Sequence, residues 1–213
     1  GAGAGQRSAF MVEFAKALAA PIGVAPSGGP CPPVDVVTFN FLYTEQKRRI
    51  PDRGPALESC YRAVIDAVRD RLASARSALF IGGKSMGGRI ATQVAAQEST
   101  TGGGPIAGLV LLGYPLHPPG RPDQRRDKHL PAIRRPMLVI QGSRDAFGLP
   151  SELEPTFDGL TPRPALHIVA GGDHSFKLPR KDPLAQGAAF DEVQRTIGEW
   201  IEQVRTSGSA TRR

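Results

Sequence analysis

A serine between two glycines is the first feature of the chain that could do chemistry. Residues Gly83-Lys84-Ser85-Met86-Gly87 have the pattern G-x-S-x-G, in which the serine occupies a sharp turn between a strand and a helix and the glycines allow close backbone approach. A serine hydroxyl is a weak nucleophile at neutral pH, so the pattern requires a histidine base and a carboxylate that orients it. Because the chain contains 25 glycines, the pattern needs support from its surroundings.

Two residues that meet this requirement follow in the expected chain order. Asp145 comes shortly after an apolar run that ends at Gln141, and His174 comes shortly after the next apolar run. Loops that follow neighbouring parallel strands meet at one edge of a sheet. We therefore predict a catalytic triad of Ser85, Asp145 and His174, with the N–H of Met86 at the start of the next helix facing the oxyanion.

Other histidines and one other carboxylate compete for these roles. His167 lies inside a predicted strand, where a packed or surface role is typical. His117 and His129 lie in a long loop, where they either contact a substrate or stay solvated. Asp173 directly precedes the predicted base, and adjacent side chains rarely face each other in a productive geometry.

The same residues also resemble the end of a phosphate-binding loop, G-x-x-x-x-G-K-[ST]. The first glycine of that pattern would be residue 78, which is Ala78 and belongs to a predicted strand. With no loop to surround a phosphate, the pattern argues against nucleotide hydrolysis. Lys84 is then expected to be part of the elbow, near the mouth of the site.

Strand and helix patterns alternate along the chain. The predicted strands are 34–41, 78–81, 106–112, 136–141 and 164–170. The predicted helices are 8–20, 57–75, 89–97 and 190–204. This order predicts a parallel sheet covered by helices on both faces. We expect a single domain over residues 1–206 and a disordered tail over 207–213.

Composition limits the classes of function. No apolar run approaches the ~18 residues that span a bilayer, which argues against a membrane protein. The net charge of +7 comes largely from one loop and the C-terminus, with no basic helix stripe or recognition motif, which argues against nucleic-acid binding. Cys31 and Cys60 show no paired spacing and no secretory signal precedes them, which favours the cytoplasm. The predicted chemistry needs no metal and no cofactor.

Beyond the triad, the chain resembles a known family over almost its whole length. The matching segments are GAGAG at 1–5, FNF at 39–41, GKSMGGR at 83–89, GYPLHPPG at 113–120, Arg126 with His129-Leu130, QGSRD at 141–145 and GDHSF at 172–176. They resemble the small cap-less α/β hydrolases related to dienelactone hydrolase. Within these, the chain is similar to the Tex30-like proteins, relatives of the third subunit of the chromatin-associated NSL complex. The resemblance implies an α/β-hydrolase fold without a cap domain.

The resemblance also implies an oxyanion hole. In related proteins the first loop reads His-Gly-Ala-Gly and follows the central strand, so Ala2, Gly3 and Ala4 are implied to supply an N–H group together with Met86. The histidine and the strand of that pattern are absent here. The strand would lie between segments 34–41 and 78–81. We therefore expect the natural chain to continue upstream, or else an unstable fragment or a gap at this place in the sheet.

These observations predict a serine hydrolase that acts on a small-molecule carboxylic ester, thioester or amide, with an esterase favoured over a peptidase. His117, Arg126 and His129 are candidates for substrate contact. Arg125 makes their loop more basic than in relatives, which either favours anionic acyl groups or simply leaves a solvated basic loop. Two alternatives stay open: a non-catalytic scaffold or protein-binding module with the same fold, and a basic nucleic-acid binder.

Overall fold

The computed structural model describes residues 4–101, 106–179 and 182–210, with the backbone alone at 98–101 and 208–210. The helices are α1 (Ala9–Leu18), α2 (Leu42–Glu45), α3 (Gly54–Arg71), α4 (Ala73–Ser77), α5 (Met86–Thr101), α6 (Pro150–Asp158) and α7 (Pro183–Ala210). The strands are β1 (Leu79–Lys84), β2 (Ile106–Leu112), β3 (Met137–Gly142) and β4 (Ala165–Val169), and a short 3-10 turn covers Leu130–Ala132. Within the described ranges, no helix is long and apolar enough to cross a membrane.

The four strands form one sheet in the order β1-β2-β3-β4, and every neighbouring pair is parallel. All six residues of β3 are buried, which explains its continuous apolar sequence, because both faces of the sheet are covered by helices. The register pairs the last residue of β1, Lys84, with the last residue of β2, Leu112. The carboxyl ends of β1 and β2 are therefore level, whereas β3 continues for two residues beyond Ile140, the partner of Leu112. Because all strands are parallel, the loops that follow them share one edge.

Each face of the sheet carries its own hydrophobic core. Helices α3 and α5 pack against each other over one face, where Ile65, Ile90 and Val94 are buried. Helices α1 and α7 pack over the other face, where Phe14 and Ile197 are buried. Each such aliphatic or aromatic side chain stabilises the fold by about 1.5–3 kcal/mol when it leaves water. This three-layer arrangement is the α/β-hydrolase architecture that the sequence predicts.

The predicted strand at 34–41 is wrong, because these residues form no strand and do not join the sheet. A cavity of about 610 Å³ lies between this segment and β1. A strand needs a neighbour for its backbone hydrogen bonds, and the segment has none within the described residues. Its aromatic residues pack on a helix instead, with the Phe39 ring 5.1 Å from that of Tyr61. The described sheet is continuous from β1 to β4, with β1 at its edge, and the cavity lies beside that edge.

The helices also depart from the predicted bounds. Helix α7 begins at Pro183 and continues through Ala210, so residues 207–210, which were expected to lie in a disordered tail, are helical. The Thr206 hydroxyl lies within donor distance of the carbonyls of Glu202 and Gln203, four and three residues earlier. This back-bonding is typical of a threonine inside a helix. Helix α6 was not predicted, because its prolines resemble a loop signal. The first of them, Pro150, occupies the first turn, where proline is tolerated.

Tyr61 takes the place of a strand neighbour at the open edge of β1. Its hydroxyl donates to the carbonyl of Gly82 at 2.6 Å and accepts from the N–H of Gly82 at 3.0 Å. Both groups would otherwise face the cavity without a partner. Burial raises the pKa of the Tyr61 phenol, so the hydroxyl keeps its proton and both hydrogen bonds persist.

Replacing Tyr61 with phenylalanine keeps the ring and removes the hydroxyl. We expect the free energy of unfolding to fall by about 1–3 kcal/mol, because two buried backbone groups lose their partner. Urea denaturation measures this loss, and amide hydrogen exchange at Gly82 should accelerate. A Phe39→Leu variant changes the neighbouring ring but keeps the hydroxyl, so it should leave Gly82 protected. Unchanged stability and unchanged protection in Tyr61→Phe would contradict this role.

Candidate active site

Ser85 lies in a strained turn between β1 and α5. Its φ is 53°, a left-handed conformation that is uncommon for a residue with a side chain and typically costs about 1–3 kcal/mol. The Ser85 N–H donates to the carbonyl of Leu112 at 2.9 Å, which fixes the turn to the end of β2. A Cβ atom at Gly88 would lie 2.7 Å from the carbonyl oxygen of Gly83. Glycine at residue 88 therefore lets the helix start directly against the strand.

The structure brings the three predicted triad residues together. The Nε2 of His174 lies 2.8 Å from the Oγ of Ser85, and its Nδ1 lies 2.8 Å from the Oδ2 of Asp145. Asp145 is fully buried, whereas the His174 side chain is 22% exposed. A buried carboxylate therefore faces one ring nitrogen, and the serine hydroxyl faces the other from the accessible side.

Asp145 is held by hydrogen bonds that the sequence did not reveal. The Nε2 of Gln141 donates to its Oδ2 at 2.9 Å, and the N–H of Phe147 donates to its Oδ1 at 2.9 Å. Gln141 is fully buried and also accepts from the N–H of Tyr114 at 2.8 Å. This side chain links the loops after β2 and β3. The only signal in the sequence was a polar residue near the end of an otherwise apolar strand.

The loop that carries His174 is shaped by its own polar groups. The carboxylate of Asp173 accepts from the N–H groups of Ser175 and Lys177 at 2.7 and 2.9 Å. Asp173 therefore closes a turn. These bonds do not support Asp173 as the carboxylate that orients His174. The Phe147 ring lies over the imidazole at a centroid distance of 4.2 Å. The turn fixes the loop, and the ring contact restricts the imidazole itself.

Lys84 points into the protein instead of toward the mouth of the site, so the expected position of its side chain is wrong. Its Nζ donates to the backbone carbonyl of His174 and lies 5.9 and 5.6 Å from the ring centres of Phe10 and Phe176. A Cβ at Gly113 would lie 2.9 Å from this Nζ, so the glycine makes room for the ammonium group. Burial lowers the pKa of Lys84 to about 8, although nearby carboxylates oppose the shift.

Part of the implied oxyanion hole is described. Met86 is the first residue of α5, and the first N–H groups of a helix have no acceptor within it, so its N–H is available beside Ser85. Ala4 lies on the wall of the cavity behind the elbow together with Gly83 and Gly87. Ala2 and Gly3 lie outside the described residues. Within the described part of this segment, the N–H of Gln6 donates to the Oδ1 of Asn40 at 2.7 Å.

The remaining predicted side chains do not reach the triad by any hydrogen bond that the described residues show. His117 is 5% exposed, and its Nε2 lies 3.2 Å from a carboxylate oxygen of Glu152 in α6. The Nε2 of His129 lies 2.8 Å from the hydroxyl of a threonine on α5. Arg126 is half-buried in the same loop. The rival His167 lies in β4, with its Nε2 3.9 Å from a carboxylate oxygen of Glu192.

Known proteins share this architecture. A family model described as an alpha/beta hydrolase domain matches residues 1–202. An alpha-beta serine hydrolase homologue from Coxiella burnetii superposes with a TM-score of 0.64 at 18% identity, over 91% of this chain and 78% of that chain. A serine hydrolase without a lid from Xanthomonas campestris gives 0.58 at 23% identity, over 89% and 74%. Est1E from Butyrivibrio proteoclasticus, with ferulic acid bound, gives 0.60 at 12% identity, over 92% and 84%.

A Lys84→Met variant tests whether the buried ammonium positions His174. We expect the rate at which Ser85 reacts with a serine-directed electrophile to fall about tenfold, because the carbonyl of His174 loses a buried donor and the imidazole loses its fixed position. Lys177→Met removes an exposed lysine from the same loop and serves as the matched control. Equal rates in wild type and Lys84→Met would contradict the positioning role.

The buried lysine also predicts a pH dependence of stability. The folded protein releases the Lys84 proton near pH 8, whereas the unfolded chain holds it up to its ordinary pKa of 10.5. Between these values the unfolded chain binds more protons, so raising the pH through this window stabilises wild type relative to Lys84→Met. Urea unfolding of both proteins from pH 7 to 10.5 measures the difference. A constant difference across this range would show that the lysine titrates normally.

Proposed function

Because the chain belongs to the alpha/beta hydrolase domain family, we propose that it is a serine hydrolase that cleaves a carboxylic ester or thioester. The observation that supports this most is the hydrogen-bonded series from Ser85 through His174 to Asp145, with 2.8 Å at each step. The buried carboxylate and the strained serine are costly features for a fold that serves only as a scaffold. They favour hydrolysis over the non-catalytic alternative.

The proposed reaction proceeds in two half-reactions. The Oγ of Ser85 attacks the carbonyl carbon while the Nε2 of His174 takes the hydroxyl proton, and the carbonyl oxygen becomes an oxyanion. The intermediate then expels the alcohol or thiol, which takes the proton from His174, and an acyl-serine remains. A water molecule attacks this ester by the same route and releases the acid. Asp145 stabilises the imidazolium that forms in each half-reaction.

The oxyanion needs hydrogen-bond donors at the elbow. The N–H of Met86 and the positive end of the α5 dipole lie beside Ser85 and supply one side. A second N–H from the loop at Ala2, Gly3 and Ala4 completes the hole in this proposal. Each such donor is worth roughly 10²–10³ in kcat when it is aimed at the developing charge.

The proposed substrate is a small acyl compound. The similarity to a Xanthomonas hydrolase without a lid and to Butyrivibrio Est1E, whose structure holds ferulic acid, supports small or extended acyl groups over long lipids. We place the chain among the Tex30-like proteins on the motifs given above. We also propose a cytoplasmic location, because Cys31 and Cys60 show no paired spacing.

Labelling with a fluorophosphonate tests the activated serine. We expect intact-mass analysis to show one adduct on the wild-type protein and none on Ser85→Ala. Ser151→Ala, which removes an exposed serine of α6, should label like wild type. Folded wild-type protein that takes up no label would point to the scaffold alternative.

An Asp145→Asn variant tests the carboxylate. We expect labelling to slow by roughly 10²–10⁴-fold, because asparagine no longer stabilises the imidazolium and favours the wrong tautomer of His174. The new amide NH₂ group would also face a donor, either the imidazole or the Nε2 of Gln141. Circular dichroism confirms that the variant is folded. A labelling rate within about twofold of wild type would rule out Asp145 as the orienting group.

A further inference from the structure

Both ring nitrogens of His117 face hydrogen-bond acceptors. This residue is buried in the loop after β2. Its Nδ1 lies 2.8 Å from the carbonyl oxygen of Pro118, and its Nε2 lies 3.2 Å from the Oε1 of Glu152. A carbonyl oxygen and an ionised carboxylate have no hydrogen to donate, and a neutral imidazole has a single N–H. Only the imidazolium form of His117 can therefore donate to both acceptors at once.

Glu152 is held in its ionised form by the start of α6. Its Oε2 accepts from the N–H of Leu149 at 2.8 Å. This hydrogen bond lowers the pKa of the Glu152 carboxyl group, although burial opposes the shift. A negative charge is also favourable beside the N-terminus of a helix. The carboxylate therefore binds the ring of His117 through one oxygen and the backbone of Leu149 through the other.

Arg125 is a further charged group that acts on this pair, and it belongs to the same loop as His117. Its positive charge also lowers the pKa of Glu152. Arg125 is paired with Asp127, and it donates to the hydroxyl of Thr156 on α6 at 2.6 Å. Because Asp127 balances its charge, these two residues together add little net charge beside the imidazolium.

His117 also reaches the residue that contacts the triad from the side of Asp145. Its backbone N–H donates to the carbonyl of Phe147 at 3.0 Å. The N–H of Phe147 in turn donates to the Oδ1 of Asp145 at 2.9 Å, and its ring centre lies 4.2 Å from that of the His174 imidazole. Phe147 therefore contacts two of the three triad residues, and His117 is bonded to its carbonyl.

The contacts of His117 hold one short segment at two points. Residues 145–149, called the acid loop below, are bonded to the backbone of His117 at residue 147 and, through Glu152, to its ring at residue 149. Loss of the second ring proton would leave an imidazole lone pair against an oxygen, either that of Pro118 or that of Glu152. In either case one of the two bonds that fix the ring is lost.

We propose that His117, in its imidazolium form, is a positioning residue for the triad. Through Glu152 it fixes the acid loop, and the acid loop fixes the contacts that Phe147 makes with the base and the carboxylate. This inference rests on the proposed hydrolase function. Release of the ring proton lets the acid loop move, and a small displacement of the base is enough to slow the attack by Ser85. The site then loses reactivity at alkaline pH.

The first test is the pH profile of fluorophosphonate labelling, from about pH 5 to 10. The wild-type rate should rise as His174 loses its proton and then fall about tenfold as His117 releases its own. His117→Gln should label about tenfold more slowly than the wild-type maximum and show no alkaline fall. The matched control is His167→Gln, which removes a histidine of β4 that lies 3.9 Å from Glu192, and it should keep the wild-type profile. The fall should also persist in Lys84→Met.

Glu152→Gln separates the charge from the link itself. A glutamine can accept from the N–H of Leu149 through its oxygen and donate to an unprotonated Nε2 of His117 through its NH₂ group. The Nδ1–H of that neutral ring still donates to Pro118. This variant should therefore label within about twofold of the wild-type maximum and lose the alkaline fall. Glu152→Ala offers no such link and should label as slowly as His117→Gln.

Two further measurements do not require a reactive serine. Amide hydrogen exchange at Phe147 should be about tenfold faster in His117→Gln than in wild type at the same pH. NMR of the ring nitrogens should show a proton on both nitrogens of His117 at neutral pH. If folded wild type takes up no label, the hydrolase proposal fails, while these two measurements still decide the contacts of His117.

Four results would overturn the inference. They are a single proton on the His117 ring at neutral pH, a wild-type profile with no alkaline fall, a fall that persists in His117→Gln, and equal labelling of His117→Gln and wild type.

Discussion

A carboxylate with no access to water sets the conditions for the rest of the site. Asp145 is fully buried, and an ionised carboxylate in such a place is tolerated only when hydrogen bonds replace its hydration. The donors are the backbone of Phe147, the amide of Gln141 and the imidazole of His174. Each of them belongs to a different part of the fold. The need to satisfy one charge therefore fixes the end of β3, the loop that follows it and the loop after β4 relative to one another.

The parallel sheet makes this arrangement available. Because the strands are parallel and β1 and β2 end level, the elbow after β1, the loop after β2 and the loop that carries Asp145 meet at one edge. Gly113 and Gly142 lie where the ends of β2 and β3 approach the loop that carries His174. A Cβ at Gly142 would overlap the carbonyls of Asp173 and Gly172. Small residues at these points are a packing requirement of the fold as well as a feature of the site.

The parts that could be read from the sequence are those with a local cause. Strand β2 has the predicted bounds, because a continuous apolar run between turn residues leaves few alternatives. The elbow and the order Ser85, Asp145, His174 were likewise visible as residue types and spacing. The segment at 34–41 was misjudged, because its composition favours a strand but a strand also needs a neighbour. The inward orientation of the Lys84 side chain could not be predicted for another reason, because tertiary contacts decide where a long flexible side chain lies.

The open side of β1 has a consequence for how this molecule meets other chains. Within the described residues β1 is an edge strand, and along it Tyr61 satisfies the backbone of only one residue, Gly82. Exposed or cavity-facing strand edges are templates for pairing with any extended polypeptide. Here the template is the strand that ends in Ser85. A chain that paired with this edge would lie beside the strand that leads into the Ser85 turn, so the surroundings of that turn would then depend on the state of association.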